Sequence, residues 1–66
     1  MTQQVMVNGL VFGLSGSDVV FGGRRLSPRT VRKLPTREKD LVRRAVDMLA
    51  GLSADGSVLV RRYSNL

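Results

Sequence analysis

Short apolar runs separated by turn-forming residues fill the first third of the chain, and a helical apolar stripe fills the middle. Gln4-Val5-Met6-Val7 is one such run, followed by Asn8-Gly9 and then Leu10-Val11-Phe12. Asn-Gly supplies the two positive φ angles of a type I′ turn, whose twist matches that of flanking strands, so this stretch predicts a hairpin. A competing register makes residues 5–14 one long strand with Gly9 as a bulge; the hairpin is favoured. Ser15-Gly16-Ser17-Asp18 is a second turn cluster, Val19-Val20-Phe21 a third strand, and Gly22-Gly23 returns the chain as a short edge strand, Arg24-Arg25-Leu26.

Ser27-Pro28 is a helix-start signature, because Ser caps and Pro is tolerated at the first helical position. The predicted short helix runs to Leu34, with Val31 and Leu34 on one face, and Pro35 stops it. Thr36 is the expected N-cap of the main helix, Arg37 to Leu52. There Leu41, Ala45, Met48, Leu49 and Leu52 recur at i, i+4, i+7, i+8 and i+11, and Val42 and Val46 widen the stripe. The opposite face offers Asp40–Arg44 and Arg43–Asp47 as i, i+4 ion pairs. Gly51 is placed to end the helix, as a C-cap or just inside it. Ser53-Ala54-Asp55-Gly56 then reads as a turn, and the alternation in Ser57-Val58-Leu59-Val60 as a last strand. The expected fold is α+β in a single domain, residues 1–66. An N-terminal β-meander and a C-terminal strand form a small antiparallel sheet of three to four strands, packed by one main helix with a short helix before it.

An apolar fraction of 42% supports a core for this pattern. A chain of this length buries only roughly 60% of the surface its unfolded form exposes. Small domains are usually stapled by a disulfide, a metal or an oligomeric interface. With no Cys and no His, disulfides and the common zinc arrangements are excluded, which leaves association with a partner or a second copy. The start, Met1-Thr2-Gln3-Gln4, lacks the basic region of a secretory signal, and no run approaches the ~18 apolar residues of a membrane span. Together with the absence of Cys, this gives the expectation of a cytoplasmic protein with no membrane partner.

The net charge of +6 is unevenly placed. Residues 1–23 carry −1, residues 24–44 carry +7, and residues 45–66 balance to zero. Nine of the eleven cations are Arg, whose planar fork grips phosphate or carboxylate at two points; GC-rich coding accounts for Arg richness equally well. Enzymatic chemistry is not expected. There is no His base and no Cys nucleophile, the five acids are scattered, and the serines lack a base partner. Gly13-Leu14-Ser15-Gly16 and Gly22-Gly23 lack the spacing of a phosphate-binding loop. No cofactor is implied.

The basic segment therefore carries the functional reading. Arg24, Arg25, Arg29, Arg32 and Lys33 fall within ten positions, followed by Arg37, Lys39, Arg43 and Arg44. On the short helix Arg29, Arg32 and Lys33 share one side at i, i+3 and i+4, a cationic patch suited to adjacent phosphates. The bland alternative is a solvated face that keeps a small protein soluble. Arg61 and Arg62 offer a flanking contact, and Tyr63 beside them either stacks on a base or serves as an ordinary core-edge tyrosine; the second is favoured.

Leu26-Ser27-Pro28-Arg29-Thr30-Val31 resembles the start of the recognition helix in LuxR-type helix-turn-helix domains. Thr36-Arg37-Glu38-Lys39-Asp40-Leu41-Val42 is similar to their first helix. The two pieces stand here in reverse chain order without the scaffold helix between them, and they cover about a fifth of the chain. What is shared is helix-start chemistry.

The leading expectation is a small basic nucleic-acid-binding module, DNA or RNA, an accessory or regulatory protein of a phage, plasmid or bacterium. The second is a protein-interaction module or inhibitor docking on an acidic partner protein. In size and composition the chain is similar to small mobile-element inhibitors, anti-CRISPR proteins among them. Strand edges at Gln4–Val7 or Val58–Val60 would then offer pairing to a partner or a second copy, and a structural homo-oligomer is the third reading.

Overall fold

Three two-residue turns fold the first third of the chain into an antiparallel meander of order β1-β2-β3-β4, as seen in a computed structural model that describes residues 3–66. The strands are β1 (Gln4–Val7), β2 (Leu10–Ser15), β3 (Asp18–Phe21) and β4 (Arg24–Leu26). Asn8 and Gly9 take φ of 51° and 79°, and Gly22 and Gly23 take 59° and 79°. Positive φ at both central residues is the type I′ signature, so the hairpin register prevails over the long bulged strand.

The pleat sorts the side chains. Val5, Val7, Phe12, Leu14, Val19, Phe21 and Leu26 face the helices. Phe12 and Phe21 lie directly opposite each other, their rings stacked with centroids 4.9 Å apart. Gln4, Met6, Val11, Ser15, Val20 and Arg25 alternate onto the outer face, which no element among the described residues covers.

Helix α1 (Pro28–Arg32) follows β4 directly. The Ser27 hydroxyl accepts from the Thr30 N–H at 3.4 Å, Pro28 opens the first turn, and Val31 is fully buried. Helix α2 (Thr36–Leu52) packs chiefly across β1. It starts one residue earlier than expected: Pro35 holds the N-cap position, its carbonyl accepting from the N–H groups of Glu38 and Lys39. The buried stripe of α2 is Val42, Ala45, Val46 and Leu49, at i, i+3, i+4 and i+7. The stripe read from the sequence contains all four but is displaced: Met48 and Leu52 are largely exposed, and Val42 and Val46, assigned to its margin, are buried.

The predicted C-terminal strand is a helix. Gly56–Arg62 forms α3, so all four strands lie in the meander and none follows α2. The alternation in Val58-Leu59-Val60 is misleading, because Val58 and Val60 are exposed while Leu59 is buried. The working period is helical: Gly56, Leu59 and Tyr63 are buried at i, i+3 and i+7 and turn toward the core. Gly56 is required by close approach, since a Cβ at this position would lie 2.1 Å from the Ala50 carbonyl oxygen of α2. With Val58–Val60 helical, that segment has no edge to offer for strand pairing.

Candidate functional site

β4 and α1 with its C-cap carry half of the ten predicted cations, and alternation along β4 separates the first two. Arg24 pairs with Phe21 and lies on the helix-bearing face; Arg25 pairs with Val20 and lies on the outer face, where its guanidinium donates to the Ser15 hydroxyl at 3.4 Å. On α1, Val31 points inward, and Arg29, Arg32 and Lys33 are exposed on the side away from it. The spacing argument for a shared cationic side therefore holds.

Arg37 and Arg44 are exposed on the outer side of α2, one helical stripe interleaved with Asp40 and Asp47. Arg43 pairs with Asp40 at 3.4 Å, an i, i+3 contact. This is the pairing found, rather than the two i, i+4 pairs expected. Among the described residues, Arg24, Arg29, Arg32, Lys33, Arg37, Arg44 and Arg61 take part in no ion pair.

Arg62 is occupied by the fold. Its guanidinium donates to the Asp18 carboxylate at 2.7 Å and to the Ser17 carbonyl at 3.2 Å, fastening α3 to the β2–β3 turn. Tyr63 is likewise structural. Its ring is buried, ruling out base stacking, and its hydroxyl accepts from the Val19 N–H at 3.0 Å and donates to the Leu26 carbonyl. Burial pushes the Tyr63 hydroxyl above its ordinary value, with the Asp18 charge in the same direction; the Val19 N–H and the Arg62 charge oppose the rise. Arg61 stays exposed on α3. The ten predicted cations thus do not form one surface. Arg24, Arg29, Arg32, Lys33 and Arg37 are exposed on consecutive elements, β4, α1 and the first turn of α2, whereas Arg25 is on the outer face of the sheet, Arg44 and Arg61 are exposed farther along the chain, and Arg43 and Arg62 are tied to acids.

One feature was missed from sequence. An apolar cleft of about 460 Å³ is lined by Phe12, Phe21, Leu34 and Leu41 together with Arg24 and Glu38. The only sequence signal for it was Leu34 and Leu41 standing on either side of Pro35. Among the described residues no group of three or more potential metal ligands comes together, and no helix is long and apolar enough to cross a membrane.

Compared with protein-family models, with curated proteins and with solved structures, the chain matches none of them.

Proposed function

We propose that the protein is a non-enzymatic module that binds nucleic acid through the cations around α1. The observation that carries this reading is the exposed set Arg24, Arg29, Arg32, Lys33 and Arg37, in no ion pair among the described residues and carried on the consecutive elements β4, α1 and the first turn of α2. Guanidinium forks on a rigid short helix suit phosphate oxygens, and nothing in the set is arranged to read base edges, so binding is weakly sequence-selective. Five phosphate contacts release enough counterions for a log–log salt slope of about −4.5 on duplex DNA. Such a module would act as an accessory or regulatory protein of a phage, plasmid or bacterial genome, in the cytoplasm.

A second reading rests on the apolar cleft. A protein partner with an acidic surface and one apolar anchor would engage Arg24 and the cleft together, as an inhibitor docking on a target does. Fluorescence anisotropy with unrelated duplex DNA, RNA and an acidic polypeptide, each at several salt concentrations, separates the two. Nucleic-acid binding predicts tight, steeply salt-dependent signals on DNA or RNA and a weak one on the polypeptide. Equal affinity for all three would remove the preference for nucleic acid.

A further inference from the structure

The chain has three aromatic residues, Phe12, Phe21 and Tyr63, and all three pack into the core. Phe12 and Tyr63 are each 3% exposed. Phe21 lies on the helix-bearing face of the sheet, its ring stacked on that of Phe12. Single-strand binders built on a sheet lay bases on rings exposed on its open face. Here that face carries Gln4, Met6, Val11, Ser15, Val20 and Arg25 instead. A guanidinium plane can also take a base, but it must be held in place to act as a platform. Among the described residues no hydrogen bond fixes the guanidinium of Arg24, Arg29 or Arg32.

What α1 offers is charge alone. Arg32 and Lys33 follow Arg29 at three and four positions, a spacing that sets helical Cβ atoms about 5–6 Å apart. All three are exposed, and the first turn of α1 holds no acid. So compact a patch meets one phosphate charge per about 1.7 Å of axis on a duplex, but one per about 3.4 Å on a single strand. A duplex also brings its phosphates already in place. A single strand must be ordered against a rigid patch, and stacking of its bases normally offsets that cost. This surface has no ring on which to stack them.

We propose that the cations of α1 take double-stranded nucleic acid in preference to single strands. This rests on the nucleic-acid reading above and names the form of nucleic acid its site holds. The preference is electrostatic, so it depends on salt. Five phosphate contacts give a log–log slope of about −4.5 on duplex DNA and about −3.5 on a single strand. The duplex advantage therefore shrinks about tenfold for each tenfold rise in salt.

Fluorescence anisotropy with a duplex and with one of its own strands, free of self-pairing, tests this at several salt concentrations. A DNA set and an RNA set are run in parallel. Each duplex is expected to bind more tightly than its strand at low salt, with the margin narrowing as salt rises. A strand that in either set binds as tightly as its duplex overturns this inference and leaves the nucleic-acid reading standing. So does a duplex preference that does not narrow with salt, because contacts other than phosphate would then decide it. Failure of all four nucleic acids to bind removes the nucleic-acid reading, and this inference with it.

Discussion

The Tyr63 hydroxyl donates to the carbonyl of Leu26, joining the residue that closes α3 to the last residue of β4. The same oxygen accepts from Val19, and Val19 faces Leu26 across the β3–β4 ladder. The hydroxyl is thus inserted at the end of that ladder, and the strand that carries Arg24 and Arg25 is held in part from the far end of the chain. Tyr63→Phe leaves a buried N–H and a carbonyl without this partner. It should cost about 2 kcal/mol in urea unfolding while α-helix content is unchanged.

Alkaline pH should act through the same group. Because burial raises the folded-state value of Tyr63 above 10.0, the folded protein holds this proton more tightly than the unfolded chain does. The resulting stability is complete below pH 10 and falls as pH rises from there through the folded value. Thermal melts from pH 8 upward should show the wild type losing its advantage over Tyr63→Phe above pH 10, where an unchanged difference would refute the linkage.

Two glycines should respond in opposite directions. Gly56→Ala drives a methyl into the Ala50 carbonyl and should destabilise by about 3 kcal/mol as α3 is levered off α2. Gly51 lies inside α2 with open space around it, so Gly51→Ala should stabilise by up to about 1 kcal/mol. Denaturant midpoints of the two variants against wild type are the measurement.

Arg62 separates fold from function. Removing its contacts to Asp18 and Ser17 by Arg62→Ala should cost at most about 1 kcal/mol, since the pair is partly solvated. It should shift nucleic-acid affinity far less than Arg29→Ala does. Paired anisotropy and unfolding measurements on the two variants check this.

Much of this architecture was legible in the chain. Asn8-Gly9 and Gly22-Gly23 announce their turns through backbone chemistry that few other residues share, and Ser27-Pro28 announces α1 in the same way. The errors arose where packing decides. Val58-Leu59-Val60 has the composition and alternation of a strand, but the residues that reach the core are Gly56, Leu59 and Tyr63, at helical spacing. The α2 stripe was misplaced because Met48 and Leu52 fit the period as well as Val42 and Val46 do; the position of β1 beneath the helix makes the choice. For the site, spacing sufficed on α1, where one buried Val31 orients Arg29, Arg32 and Lys33. It did not suffice for Arg24 and Arg25, which adjacency in sequence groups and the pleat separates. Nor did it show that Arg62 is engaged by Asp18, a residue 44 positions away.

The central claim is that the cations around α1 grip phosphate. The most direct test is the salt dependence of duplex binding by wild type and by a variant with Arg24, Arg29 and Arg32 changed to Ser, followed by fluorescence anisotropy. The account predicts a wild-type log–log slope of about −4.5 and a variant slope shallower by about 3, with affinity reduced across unrelated sequences alike. A flat wild-type response, or a variant that binds as tightly as wild type with the same slope, would contradict it.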